Sequence, residues 1–502
     1  MKKTIRNLIN GNNDNDIAIT SDDNKPINFL ELKEHVYNIS GQLAGNGMLK
    51  KDRAAIVLPN GPEMATAFLA ISSYMSAAPL NPSYKMSEYE FYLKDLNPKI
   101  VIVEKNSTNL VVEAAHKLGI EICEIKKIDI APDGIFNLYN SSKSFQISDE
   151  DDEALVLHTS GTTSRPKVVP LTNKNIYSSA VNISKTLKLT SSDHCYNIMP
   201  LFHIHGLIAI LSSSMYAGSS VYTSVGFNAL QFLDKAKKEN ITWYSGVPTM
   251  HQGILMRAKK NMEQAKNLSL RFIRSSSASL PPAVFEELNK VFKAPVIEAY
   301  GMTEATHQMT SNPIPPEIQK AGFVGKPAGP EVCIMDKDGN KLEIGSEGEV
   351  CIRGDNVTNG YQNNEEANNL SFTDGWFRTG DQGFFDKDGY LKISGRLKEI
   401  INRGGEKVSP LEIDNVLMEH EAIEQVVTFG VKDKLLGETI GVALVLNHGF
   451  QCTEKELKEY ARQHLADFKI PKYICFLEEI PKGATGKLQR IGLADKLGLE
   501  KI

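Results

Sequence analysis

The sequence predicts an α/β fold with a β-rich subdomain, arranged as a large N-terminal domain and a small C-terminal α+β domain. Three observations predict it. From Arg53 to Ala299, short apolar strands alternate with amphipathic helices, the βαβ rhythm of a mostly parallel sheet covered by helices. Near Gly322 the texture changes to short strands separated by Asp338-Gly339, Gly345 and Asp388-Gly389, which are turn signals of antiparallel hairpins. After Gly395-Arg396 an α/β rhythm returns in miniature over about 100 residues, the size of a separate small domain.

In order, Ala54 to Leu58 reads as a buried strand, and Pro62 to Ala78 as a helix with proline in its first turn. Lys99 to Val103 is a strand and Val111 to Leu118 a helix. The apolar run Ala154 to Leu157 is a strand that delivers the chain into a hydroxyl-rich loop. Leu230 to Lys238 reads as helix, Thr242 to Ser245 and Arg271 to Arg274 as strands, Pro282 to Phe292 as helix, and Pro295 to Ala299 as strand. In the β-rich part, Val332 to Met335, Glu349 to Ile352 and Tyr390 to Ser394 are strands. The tail reads as helix (Pro410 to His420), strands (Val426 to Gly430, Thr439 to Leu446), helix (Glu454 to Leu465) and strand (Ile474 to Leu477). These elements divide as 1–397 and 398–502, with the boundary at Leu397-Lys398. No Pro/Gly-rich linker lies there, so a tight hinge is expected.

At 502 residues the chain is too long for a single core. Its apolar share of 41% and charged share of 23% are those of an ordinary soluble globular protein. A formal net charge of -5 gives no basic footprint for nucleic acid. No stretch is long and apolar enough for a membrane span, and the N-terminus lacks a signal-peptide pattern. The six cysteines are scattered without a CxxC pair or metal-ligand spacing, which fits reduced thiols. A cytoplasmic protein is expected.

The motifs lie at predicted strand ends and turns. Thr159-Ser160-Gly161-Thr162-Thr163-Ser164-Arg165-Pro166-Lys167 offers hydroxyls, backbone N–H groups and cations, as phosphate oxygens require. Its glycine-to-lysine spacing matches a Walker loop, but Pro166 and Val168 replace that motif's second glycine and Ser/Thr. By itself the segment reads equally well as a Ser/Thr-rich turn. His203 and His205 would share a face if extended; they read as a satisfied structural pair or as part of a zinc site without a third ligand nearby. Glu298-Ala299-Tyr300-Gly301-Met302-Thr303-Glu304 follows a strand, where α/β folds collect ligands. There Tyr300 could stack on a purine and Glu304 could hold Mg²⁺. Asp381 suits a pair of ribose hydroxyls, and Arg396 adds a cation for the same sugar. Gly404-Gly405 leaves room for a sliding chain, and Lys487 sits on a flexible loop.

In this order and spacing the set resembles the adenylate-forming superfamily of acyl-CoA synthetases, luciferases and peptide-synthetase adenylation domains, across essentially the whole chain. The resemblance implies a large adenylate-forming domain and a mobile small domain. It implies ATP contacts from Thr159, Ser160, Gly161, Thr162, Thr163 and Lys167, and from Glu298, Ala299 and Tyr300, with Tyr300 against adenine. It further implies Thr303 and Glu304 for the α-phosphate and Mg²⁺, Asp381 with Arg396 for the ribose, Lys487 for the adenylation step, and Lys398 as hinge. Gly404 and Gly405 then border the thiol channel of free CoA, since no carrier domain fits in the chain. The phosphate loop departs from the pattern at Ser164 and Val168, where glycines are common. A β-branched residue adopts positive φ only at a cost, so the loop geometry is expected to differ at Val168.

Further wording narrows the branch. His158-Thr159-Ser160 to Lys167, Pro200-Leu201-Phe202-His203-Ile204-His205-Gly206-Leu207, Thr303-Glu304-Ala305-Thr306-His307 and Ile400 to Lys407 resemble the oxalate–CoA ligase branch. The stretches Arg274 to Ser279 and Ala305 to Gln308 replace the apolar lining expected for fatty or aromatic acids. A long apolar acid would leave these polar groups unpaired, at about 1–3 kcal/mol each. His203, His205, Ser277, Ser279 and His307 are therefore the expected acid contacts, with His203 near the reacting carboxylate and His307 and Ser277 at the distal one. The expected cosubstrates are a small carboxylic acid, ATP with Mg²⁺, and coenzyme A. Malonate, an aryl acid such as 4-coumarate, or a medium-chain fatty acid are the competing substrates. A non-catalytic nucleotide-binding regulator is the competing class, which Glu304 and Lys487 together argue against.

Overall fold

The computed structural model of the protein describes residues 2–22, 25–159, 166–483 and 487–499. The large domain is built on two mostly parallel sheets. In the nine-stranded sheet, parallel strands run across Ile17–Thr20, Ser220–Thr223, His194–Asn197, Trp243–Gly246, Phe272–Ser275 and Val296–Met302; antiparallel strands close both ends. The six-stranded sheet carries Arg53–Val57 beside Ser76–Pro79 and Ile100–Val103, with Glu153–His158 and Val168–Thr172 at one edge. Strands buried on both faces read as near-continuous apolar runs, and Ile100–Val103 is buried at every position. The fold class expected from the sequence is the one observed.

One element boundary is corrected. The apolar run from Pro62 is not a single helix to Ala78: the helix is Pro62–Ser72, and after a turn Ser76–Pro79 becomes a fully buried parallel strand. A continuous apolar run cannot distinguish a buried helix from a buried strand by periodicity. The helix Met86–Leu96, closed by Asn97 in the left-handed region, is an addition.

The β-rich part is an antiparallel sheet of Glu331–Met335, Gly348–Arg353, Trp376–Phe385 and Leu391–Arg396, with Asp388-Gly389 at the last turn. The small unit that follows has its own sheet, with long paired strands Ile423–Asp433 and Gly437–Leu446 and the parallel strand Tyr473–Phe476. Helices Pro410–Met418 and Glu454–His464 cover one face with Ile413, Leu417, Leu457 and Ala461; Ile480, Leu493 and Ala494 cover the other. Two apolar faces covered within the unit give it a core of its own.

Lys398 is exposed in the turn between these parts. Gln252 Nε2 donates to the Glu424 carbonyl at 3.1 Å, and Ser409 Oγ donates to the Ser394 carbonyl. Both bonds link the small unit to the large one. Among the described residues, no helix is long and apolar enough to cross a membrane.

Candidate active site

Glu153–His158 and Val168–Thr172 are antiparallel neighbours, so the expected phosphate loop is the connection of a hairpin. Its base is closed twice. Thr159 N–H donates to the Lys167 carbonyl at 2.9 Å, and Lys167 N–H to Thr159 Oγ1 at 3.3 Å. The contacts expected of Ser160, Gly161, Thr162 and Thr163 lie outside the described residues. Val168 lies opposite His158 in the ladder, is buried in the core behind the sheet, and has no positive φ. A strand position suits a β-branched residue, which explains why valine is tolerated there.

The strand Val296–Met302 carries Glu298, Ala299 and Tyr300 to the centre of the molecule. Gly301 is required by close approach, since a Cβ there would sit 1.9 Å from the His307 carbonyl oxygen. Thr303–Ala305 is a single 3₁₀ turn that leaves Thr303 half-buried and Glu304 buried. Asp381 and Arg396 face each other across Trp376–Phe385 and Leu391–Arg396, because the ladder register puts them opposite. Arg396 Nε donates to Asp381 Oδ1 at 2.8 Å, and Tyr300 Oη donates to Asp381 Oδ2 at 2.5 Å. The carboxylate raises the pKa of Arg396. Thus three residues expected at adenosine, drawn from two sheets, meet at one point.

Ala299 gives its carbonyl to Ser276 Oγ at 2.8 Å. Glu298 accepts the Leu280 N–H at 3.1 Å, while its other oxygen is buried without a partner among the described residues. Burial pushes its pKa up to about 8. It is therefore largely a neutral carboxylic acid at neutral pH.

Glu304 is 6% exposed. Its Oε1 accepts the Tyr361 hydroxyl at 2.7 Å. Burial raises its pKa, against the opposing effects of Tyr361, Lys167 and Arg396. Such a buried oxygen donor suits a hard divalent cation. Among the described residues there is no cluster of three or more His, Cys, Asp or Glu side chains able to hold a metal, so the zinc reading of His203 and His205 gains no third ligand.

Lys487 reaches this centre from the small unit. The residue is half-buried, and its pKa is lowered to about 8, first by desolvation and then by Arg396. Its charge also depresses His203, His205 and His307. Three residues further on, Arg490 pairs with Glu399 at 3.0 Å and with buried Asp414 at 2.5 Å. Gly404 and Gly405 form the turn between Ile401–Arg403 and Glu406–Val408, with φ of +62° and +96°. A Cβ at Gly405 would meet no atom within 4 Å, while one at Gly404 would lie 3.1 Å from Leu436 Cδ2.

The histidines are not extended. His203 lies in a turn and His205 begins the π-helical segment His205–Ser212, a wide turn frequent at functional sites. His205 Nδ1 lies 3.0 Å from Ser277 Oγ and its Nε2 2.6 Å from Ser245 Oγ. Its ring is 4.8 Å from that of His307. Both ring nitrogens of His307 are buried without a hydrogen-bond partner among the described residues. Thr306 and His307 have φ of +48° and +93°, a conformation costly for residues with a Cβ and typical of strain held at a site. Burial lowers the pKa of His203 to about 3 and those of His205 and His307 well below their ordinary value, so all three are neutral at pH 7. Ser279 is exposed.

The sequence reading placed Arg274 in the pocket-lining stretch but did not count it among the acid contacts. It is fully buried, and among the described residues its guanidinium meets only neutral partners: Ser245 Oγ at 3.3 Å, His205 Nε2 at 3.4 Å and Gln308 Oε1 at 3.2 Å. Burial pulls its pKa down to about 9, which leaves it charged at neutral pH. The signal was present: a cation inside the otherwise apolar strand Phe272-Ile273-Arg274 is a position that charged residues rarely occupy unpaired.

Residues 9–362 match the AMP-binding enzyme family, and residues 412–487 match the C-terminal domain of AMP-binding enzymes. The chain is 47% identical over 474 residues to oxalate–CoA ligase of Arabidopsis thaliana, covering 92% of each chain. It is 44% identical to oxalate–CoA ligase of Saccharomyces cerevisiae, covering 89% of this chain and 87% of the relative. Among solved structures, ATP-bound MatB from Rhodopseudomonas palustris superposes with a TM-score of 0.90 at 27% identity, covering 99% of each chain. The family match spans most of the chain and the fold agrees with it, and the chain belongs to the AMP-binding enzyme family.

Proposed function

We propose that this enzyme is an ATP-dependent acid–CoA ligase that converts oxalate, ATP and CoA to oxalyl-CoA, AMP and diphosphate. The observation that carries the choice of acid is Arg274, a buried cation whose partners are all neutral. An uncompensated charge in a protein interior is strongly unfavourable, and a dianionic substrate supplies the missing partner. Around it, Ser245, Ser277, His205 and the unpartnered nitrogens of His307 provide neutral hydrogen-bonding groups. The distal carboxylate is assigned to Arg274, Ser277 and His307, with His205 orienting Ser277. Ser279 stands at the rim. His203, on which the charge of Lys487 acts, is assigned to the reacting carboxylate. The two oxalate–CoA ligase relatives support the same reading.

The chemistry follows from charge. One carboxylate oxygen attacks the α-phosphorus, the bond to the β-phosphate oxygen breaks, and diphosphate leaves with the acyl-adenylate retained. Both reactants are anions, so repulsion must be offset at the reacting centre. Lys487 brings an ammonium there, Thr303 offers a hydroxyl to the α-phosphate, and Lys167 with Thr159 borders the leaving diphosphate. Asp381, Arg396 and Tyr300 hold the adenosine, beside Glu298 and Ala299. Glu304 is the residue that would hold Mg²⁺, which supplies charge neutralisation on the phosphates when bound. In the second half, a CoA thiol attacks the acyl carbon and AMP leaves. For that step the domain 398–502 turns about Lys398, withdrawing Lys487 and bringing Gly404 and Gly405 to the thiol path.

A pyrophosphate-exchange assay over oxalate, malonate, acetate, 4-coumarate and a medium-chain fatty acid tests the reading. Oxalate is expected to give the highest kcat/KM, and Arg274→Met to lower it by about 30-fold or more. A clear win for coumarate or the fatty acid sinks the polar-pocket argument. A win for malonate keeps the dianion and replaces the acid.

A further inference from the structure

Tyr361 belongs to none of the motifs above, yet it joins two of them. Its hydroxyl donates to Glu304 Oε1 at 2.7 Å, and the Lys167 ammonium lies 4.1 Å from the centre of its ring. The side chain is 6% exposed and packs edge-on to Phe377 at 6.3 Å between ring centres. Its hydroxyl is the donor in the bond to Glu304. The backbone around it is fixed with unusual redundancy. Tyr361 N–H donates to Asn368 Oδ1 at 2.7 Å, and Asn368 Nδ2 donates back to the Tyr361 carbonyl at 2.9 Å. Gln362 N–H donates to the Val168 carbonyl at 3.0 Å, and Thr358 N–H to the Glu304 carbonyl at 2.7 Å. The segment from Thr358 to Gln362 thus braces the flank of the phosphate loop and the backbone of Glu304 at once.

We propose that Tyr361 is a positioning residue for the metal–nucleotide site: its hydroxyl fixes the rotamer of Glu304 and its ring seats Lys167. With Oε1 committed to the phenol, the other Glu304 oxygen is the one presented to a divalent cation. The hydroxyl also satisfies one lone pair of a buried carboxylate, which lowers the cost of keeping Glu304 ionised in a dry site. The ring holds the Lys167 ammonium by its quadrupole without neutralising it, so the cation stays available to phosphate oxygens. A carboxylate partner at the same place would tie Lys167 up in an ion pair. The inference rests on the AMP-binding reading of Glu304 and Lys167, and is independent of which acid is used.

The test uses the full-length protein and Mn²⁺ as an electron-spin-resonance probe, titrated with a non-hydrolysable ATP analogue and no acid present. Tyr361→Phe removes the hydroxyl and keeps the ring. It is expected to weaken Mn²⁺–nucleotide binding about 10–100-fold, the range for losing a residue that orients a metal ligand, while thermal unfolding stays within a few degrees of the parent. Tyr361→Leu also removes the ring and is expected to weaken binding of the analogue in metal-free buffer, where Tyr361→Phe does not. Parent-like Mn²⁺ affinity in a folded Tyr361→Phe protein overturns the proposal. So does a loss of stability with unchanged metal affinity, which marks a merely structural tyrosine. Failure of the parent itself to bind Mn²⁺ with the analogue counts against the nucleotide-site reading instead, and separates the two failures.

Discussion

Glu298 is a single carboxyl whose burial should be measurable as a slope. Its folded-state pKa of about 8 lies above the ordinary value of 4.5. Between those values the folded state binds more protons than the unfolded state, so stability falls as pH rises across that window. Below pH 4.5 both states are protonated and the contribution is fully present; above about 8 it is lost. Glu298→Gln keeps an oxygen for the Leu280 N–H and cannot ionise. Its melting temperature relative to the parent is expected to climb from pH 5 to pH 8, and a constant difference over that range would refute the assignment. At this scale the sequence was partly legible. Asp381, Arg396, Tyr300 and Glu304 were readable because their motifs are local. Arg274 left a trace as a cation in an apolar strand, but its partners, like those of Tyr361, lie on segments far apart in the chain and could not be read.

At the scale of elements, Val168 shows how a departure from a family pattern can be neutral. Its φ is not positive and its side chain packs behind the sheet, so the position belongs to a strand. Val168→Gly is expected to destabilise the protein by about 2–3 kcal/mol, from lost burial and added backbone freedom. The midpoint of a urea melt reads this. An unchanged midpoint would mean that the Val168 strand contributes little and that its pairing with His158 is incidental. Strands and amphipathic helices were largely legible because burial imposes a period on the sequence. Two features were not. The run from Pro62 to Pro79 is apolar throughout, so its helix–strand break leaves no period to read. The π-helical segment at His205 arises from packing around buried serines and histidines, and no propensity announces it.

At the scale of the whole molecule, Lys487 belongs to the small unit, while Arg396 and Asp381, whose charges act on it, belong to the large one. Lys487→Ala is expected to slow adenylate formation at least 100-fold, as removal of one preorganised charge does. Thioester formation from preformed acyl-adenylate should be largely spared. Equal loss in both half-reactions would refute the rotation about Lys398. The side-chain bonds Gln252–Glu424 and Ser409–Ser394 each end on a backbone carbonyl, and a bond of that kind contributes only about 1 kcal/mol. Reversing a two-state population from 1:99 to 99:1 takes about 5.5 kcal/mol of differential affinity. Diphosphate is present in the first of the two proposed orientations and gone before the second, so its charge is the one that differs between them. On the proposed rotation about Lys398 the boundary need not store a preference of its own: latches this weak leave the orientation of the small domain to the reaction's own progress.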